Sequence, residues 1–279
     1  MENLKVRIDE IEFVVNPFQF TGIWDFIASG KWEPESFSVF KKFIKETDVV
    51  IDIGSWAGPL TIFAAHLASF VHSIDPDPVI FKQLLYNVNL NPKISSKVKC
   101  HNLAIWNSSS TQTLFSRNVF GDSASSLIQR TRDKDERTTV QTISFKEFLD
   151  KEKIEKVDFI KMDVEGAEFF ILPSIKNELM KLSFPTLLIS FHTEYLTEYF
   201  FQQRFRNKLL SKILFKISRA FGINISSKKI EQTISESIEP LKEYRFIYET
   251  TGKQIQPGDL LKFIKRKRTT NIVFTNNRW

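Results

Sequence analysis

The sequence predicts an α/β protein built on a doubly wound parallel sheet, and three observations lead there. Four short apolar or β-branched runs (residues 49–53, 71–74, 98–102 and 159–162) are separated by helical stretches or loops. The first run ends in a glycine-containing loop, Asp52-Ile53-Gly54-Ser55-Trp56-Ala57-Gly58. The second and fourth runs end in acids, at the sheet edge where ligands lie in folds of this kind.

In chain order, residues 4–15 alternate charged and apolar side chains, as one or two short strands would. Phe37, Phe40, Phe43 and Ile44 then recur at helical spacing over residues 36–45. Residues 60–68 and 79–90 fit crossover helices between the first three runs. Residues 107–139 are polar, with a charged cluster at 130–137, and predict an irregular excursion containing a hairpin with a mobile tip. Residues 186–191, 244–248 and 271–275 add three strands and complete a sheet of seven. Between the fifth and sixth strands, residues 200–221 place Phe201, Phe205, Leu209, Ile213 and Ile217 about four apart among Arg204, Arg206, Lys208, Lys212, Lys216 and Arg219. They predict one basic amphipathic helix, either packed beside the sheet or touching an acidic substrate or a membrane surface.

Length and composition bound the rest. The 279 residues suffice for one large domain with insertions: a lead-in over 1–46, then a main domain over 47–279 with a substrate-side insertion near 196–243. The 27 Phe residues are read as core. A formal charge of +6 is a small excess over 33 anions, so nucleic acid is not implied. Cys100 is the single cysteine, which excludes an internal disulfide or a thiolate cluster. With no basic-then-apolar leader and no apolar run of membrane-spanning length, the expected location is cytoplasmic; oligomeric state is not legible.

The chemistry-bearing residues are few. Gly54 and Gly58 let a backbone approach a ligand, and Asp52 is expected to project into that crevice. An acid there suits a cation rather than pyrophosphate, and S-adenosylmethionine carries both a sulfonium and an ammonium. Asp75-Pro76, about twenty residues on, is placed to accept ribose hydroxyls. The fourth run ends Asp163-Val164-Glu165-Gly166-Ala167-Glu168, with Asp163 at the strand's carboxyl end and Glu165 and Glu168 expected on one helix face. His192 follows the fifth strand at the same edge, where a near-neutral imidazole could take a hydroxyl proton. Asp163, Glu165, Glu168 and His192 could also ligate a divalent metal, a possibility the residues do not favour.

Residues 48–58, 73–78, 102–106 and above all 161–168 resemble the FkbM family of methyltransferases, over about residues 30–195. The resemblance implies a Rossmann-like class I methyltransferase fold, a mostly parallel seven-stranded sheet with its last strand antiparallel, and O-methyl transfer onto sugar or natural-product hydroxyls. By position, Asp52, Gly54, Ser55 and Gly58 would line the methionine part of S-adenosylmethionine, Asp75 and Pro76 the ribose, and Leu103 and Ala104 the adenine. Glu33 would reach the methionine end. Asp163 would lie beside the reactive centre, with Glu165, Glu168 and His192 orienting or deprotonating the acceptor. Ser55-Trp56 and Asp75 depart from the family's more usual Ala-Asn and Glu, and Trp56 is expected to narrow the pocket or stack on the ligand.

The expected acceptor is a small molecule or glycan hydroxyl, and the cations of 107–140 and 196–243 favour an anionic one. Two other readings stay open: a methyltransferase acting on nucleic acid or protein, and a donor-binding, non-catalytic scaffold of a glycan-assembly complex. Peripheral membrane contact is compatible with each.

Overall fold

The computed structural model describes residues 2–18, 21–134, 136–205, 207–220, 227–266 and 268–279. A hairpin of β1 (Leu4–Ile8) and β2 (Ile11–Val15) opens the chain, followed by α1 (Thr21–Ala28) and α2 (Pro34–Phe43). The first wound half is β3 (Val49–Ile53), α3 (Pro59–Leu67), β4 (Phe70–Ile74), α4 (Pro78–Asn89) and β5 (Val98–His101). The excursion supplies β6 (Ala104–Trp106), β7 (Ser110–Phe115) and β8 (Arg137–Ser144). Then come α5 (Phe145–Glu152), β9 (Phe159–Met162), α6 (Glu168–Ile171), α7 (Lys176–Lys181) and β10 (Thr186–Phe191). The chain ends with α8 (Thr193–Arg204), α9 (Lys208–Ala220), α10 (Ser227–Ile238), β11 (Phe246–Glu249), α11 (Leu260–Arg266) and β12 (Thr270–Thr275).

The seven-stranded sheet has the order β11-β12-β10-β9-β3-β4-β5. Pairing is parallel from β10 to β5, and β12 runs antiparallel to both β10 and β11. Period-2 alternation sends neighbouring strand residues to opposite faces. Ile51, Ile53, Ile160, Met162 and Ile189 pack on one side with α5, α6 and α10. Val50, Val71, Phe159 and Leu188 pack on the other with α2, α3 and the opening hairpin. The crossover helices begin where chain chemistry asks: Pro59 and Pro78 occupy first turns, where a missing amide costs nothing, and the Asp77 carboxylate accepts from the amides of Val79 and Ile80.

The lead-in is welded to the main sheet. Val6, Phe13, Trp24, Ile27 and Phe40 share one buried cluster with Val50, Ile62 and Phe63. Asn91 both receives from the Val14 amide (2.8 Å) and donates to the Val14 carbonyl (2.7 Å), docking the hairpin on α4.

Three expectations are corrected. The tip of the excursion is folded down rather than loose: Arg130 and Asp133 are fully buried, and the Gly121 amide donates to Asp77. Buried ions need partners, and the tip finds them in α8, where Glu198 accepts from Arg117 and from Arg132.

The single basic helix is two, and Arg206 and Phe221 of that stretch lie outside the described residues. The Asn207 side chain accepts from the Leu210 amide and starts a new helix, and Phe201 packs on both Phe205 and Phe215. A local cap thereby overrides the continuous apolar period.

Glu165 and Glu168 do not share a helix face. Glu165 and Gly166 take left-handed backbone, with φ of 57° and 100°, and α6 begins only at Glu168. A side chain on Gly166 would run into Ile128 at 2.7 Å and Tyr195 at 3.0 Å, so the turn needs glycine.

Candidate active site

A cleft of about 970 Å³, open mouth included, lies over the carboxyl ends of β3, β4 and β9. Among the described residues that line it, the acids are Glu33, Asp75, Asp77, Asp122, Asp163 and Glu165, the cation is Lys161, and Ile74, Ala104, Ile105, Leu114 and Leu127 are among the apolar walls. Of the residues expected at the donor, Glu33, Gly54, Ser55, Asp75, Pro76, Ala104 and Asp163 line it; Asp52, Gly58 and Leu103 do not.

Asp52 is turned inward instead. Strand register sets it opposite Lys161 on β9 and Ser73 on β4. It accepts from Thr61 Oγ1 at 2.7 Å and lies 3.3 Å from Lys161 Nζ. Lys161, which motif reading left without a role, donates to the Gly54 carbonyl at 2.5 Å and approaches Asp163 Oδ2 at 3.8 Å. Burial works against its charge, but Asp52, Asp163 and Glu33 more than offset that and raise its pKa. It is a buried cation tying the loop to both acids. An unbroken strand offers few positions for a lysine, and that misfit was its available signal.

The two loop glycines serve packing more than ligand clearance. At Gly54 (φ 79°) a Cβ would fall 1.8 Å from the Asp163 carbonyl oxygen; at Gly58 (φ 92°) it would meet Leu84 at 2.7 Å. Trp56 is accounted for as well. It stacks on Trp24 (5.7 Å between rings, 18° between planes) and donates through Nε1 to Gly121 O at 3.2 Å. The indole lines the cleft while pinning lead-in and excursion to the loop.

Asp75 is held by two amides, Trp56 N on Oδ2 and Asp77 N on Oδ1, each at 2.9 Å. Burial pushes its carboxyl up to about 7 despite those bonds. Ser55 lines the cleft, and its buried Oγ has no hydrogen-bond partner among the described residues. Glu33 heads α2 in left-handed backbone (φ 42°) and accepts from Ser36; burial and the nearby Asp163 raise its pKa.

His192 stands behind the cleft. Nε2 lies 3.6 Å from Asp163 Oδ1 and 3.8 Å from Glu165 Oε2, and Nδ1 is 3.4 Å from Glu168. Burial opposes its charge, yet Glu165, Glu168 and Asp163 push it up to about 10. A raised pKa favours the charged imidazolium, which weighs against the part of proton acceptor and for that of a cation steadying the acids.

Glu168, fully buried, accepts from the amides of Gly166 (2.8 Å) and His192 (2.6 Å) and braces the turn from outside the cleft. Tyr195 stacks flat on His192 (4° between planes), and Arg130 lies over the Tyr195 ring, 4.6 Å from its centre. Arg130 also comes within 3.8 Å of Glu165.

Burial is the first cause acting on Glu165, and its carboxyl is pushed up to about 7. Asp163, Glu165 and His192 bring ligand atoms within 4.8 Å of one another, a spacing that could hold a metal ion. Three of the arginines expected to favour an anionic acceptor are committed to acids of the protein. Arg117 and Arg132 are bound to Glu198, and Arg130 to Asp133.

The raised pKa of His192 has a stability consequence. A cation favoured by folding contributes fully below the unfolded value near 6.5 and loses the contribution as pH rises through about 10. His192→Gln is expected to cost about 2 kcal/mol at pH 6, with the gap to the parent closing by pH 10 or so in parallel urea titrations. A gap independent of pH would assign His192 a packing role alone.

A parallel doubly wound sheet with an acid-lined cleft at its carboxyl edge defines the Rossmann-like class I methyltransferase fold. Residues 48–222 match the model of the methyltransferase FkbM domain. A solved methyltransferase FkbM from Methylobacillus flagellatus is similar over 91% of this chain and 53% of its own, at 14% identity and TM-score 0.45. A Streptococcus mutans protein solved in complex with SAH is similar over 56% of this chain and 69% of its own, at 14% identity and TM-score 0.31. A tRNA (guanine(37)-N(1))-methyltransferase of Pediculus humanus subsp. corporis is 26% identical over 103 residues, 36% of this chain and 22% of that protein. The chain thus spans about a fifth of that relative and about half of the FkbM structure. It belongs to the FkbM family of S-adenosylmethionine-dependent methyltransferases. Among the described residues, no helix is long and apolar enough to cross a membrane.

Proposed function

We propose that the chain transfers a methyl group from S-adenosylmethionine to a hydroxyl of a sugar or glycan precursor, with Glu165 receiving the hydroxyl proton. One juxtaposition carries this reading: a buried carboxyl near pKa 7 shares a cleft with Glu33, Asp75 and Asp163, acids suited to a cationic donor. A base poised near working pH is what proton removal from a hydroxyl asks for. Among the described residues lining the cleft, acids outnumber the cation Lys161, which favours a neutral group of the acceptor at this point.

The residues present fit the donor. Its ammonium and sulfonium match the acids, its ribose matches Asp75 held at the end of β4, and the Ser55 hydroxyl, without a partner among the described residues, offers one more polar contact. The apolar side formed by Ile74, Ala104, Ile105 and Leu114 suits a base ring. When bound, the donor supplies an electrophilic methyl carbon. The protein's share is orientation and proton handling: His192, held by Glu168, fixes the carboxylates of Asp163 and Glu165, and residues 121–127 of the excursion shield the cleft from water.

Transfer of a tritiated methyl group to nucleotide sugars, free glycans and bulk tRNA in parallel tests the reading. Label in a sugar is the expected outcome; label in tRNA alone would overturn the acceptor class. Asp75→Ala is expected to weaken donor binding by about tenfold to a hundredfold, the worth of a charged hydrogen bond, as read by calorimetry.

A further inference from the structure

Helix α9 is packed inside out. Among its described side chains it buries Ser211, Phe215 and Ser218, whereas Leu209 is 69% exposed, Ile213 49%, Leu210 48% and Ile217 43%. Water-soluble helices put the aliphatic arc inward and the hydroxyls outward. Here Ser211 faces Thr131 of the excursion (3.3 Å), Phe215 packs on Phe201, and Arg132 lies over the Phe215 ring. Among the described residues, the arrangement is held from one side and open on the other.

Four aliphatic side chains facing water form a patch that soluble proteins normally cover. What borders it identifies the cover. Lys212 and Lys216 lie along one flank of the aliphatic arc at helical spacing, and residues 208–220 contain no acid.

We propose that α9 is an interfacial helix that docks the protein on an anionic lipid surface, inserting Leu209, Ile213 and Ile217 below the headgroups while Lys212 and Lys216 contact lipid phosphates. The excursion on which α9 stands also lines the cleft through Ser125, Ser126 and Leu127, so docking engages the element that roofs the active site.

Sedimentation of the full chain with phosphatidylcholine vesicles, with and without phosphatidylglycerol, tests this. Binding is expected only to the anionic vesicles. It should fall about fivefold for each of Lys212→Gln and Lys216→Gln, the worth of one cation near such a surface, and disappear in Leu209→Ser/Ile213→Ser/Ile217→Ser. Donor binding by calorimetry, expected unchanged in every variant, shows that they fold and separates this outcome from the methyl-transfer reading. No binding to either vesicle, or binding that survives the triple substitution, overturns the proposal. So does a concentration-dependent dimer that the triple substitution abolishes, which would make a second copy the occupant.

Discussion

Glu165→Gln is expected to lower kcat by about 10²- to 10⁴-fold while leaving donor affinity within about twofold, because it removes the proton acceptor and keeps the shape of the side chain. The pH profile gives the sharper readout. Burial holds the Glu165 carboxyl near 7, so kcat of the parent should rise with pH through that value and level off once the group is ionised. The residual activity of the Gln variant should lack that limb. Stability should move the other way. A carboxyl whose pKa is raised by folding resists ionisation in the folded state, so the parent loses stability as pH rises from the unfolded value near 4.5 through about 7. The Gln variant, with no charge to bury, should lose none there and unfold at a higher temperature at pH 8. Equal activity and an unchanged profile would remove Glu165 from the chemistry and leave Asp163, 3.6 Å from His192, as the remaining acid of the turn in the cleft.

Gly54→Ala carries the second large effect, on stability. The new Cβ would sit 1.8 Å from the Asp163 carbonyl oxygen and 2.8 Å from its carbon, and neither belongs to a side chain that could swing away. Backbone at φ 79° adds its own penalty for any residue with a Cβ. Moving β3 away from β9 would also stretch the Lys161 bond to the Gly54 carbonyl and the Asp52 pair behind it. A loss of about 3–5 kcal/mol is expected, read from chemical denaturation, with donor binding weakened in whatever folded protein remains. Gly22→Ala is the control. It lies in α1 with nothing within 4 Å of the added carbon, and should be neutral or stabilising by up to about 1 kcal/mol. If both variants behaved alike, the strand crossing at Gly54 would not be as close as described.

The sheet was legible in the amino-acid sequence because its strands announce themselves locally. Parallel strands buried on both faces are written as short β-branched runs, and 49–53, 159–162 and 186–191 were located to the residue. Asp75, Asp163 and Glu165 could be placed for the same reason: the end of a strand in such a sheet is the ligand edge. What could not be read were properties that depend on residues far apart in the chain. Asp52 reads as a ligand contact until register sets Lys161 beside it, more than a hundred positions away. His192 reads as a candidate base until three carboxylates gather round its ring and raise its pKa. The inverted helix follows the same rule. Periodicity reports that a helix has two faces, and only packing decides which of them the protein covers.

The sequence by itself determined the fold, the sheet edge that carries the cleft and the family to which the chain belongs, since each is set by local periodicity or by contiguous motifs. Tertiary structure alone decided the raised pKa of His192, the inward role of Asp52 and Lys161, the stapling role of Trp56 and the outward aliphatic face of α9. Those depend on desolvation and on Coulomb interactions over a few ångströms, and such distances exist only once the chain has closed on itself.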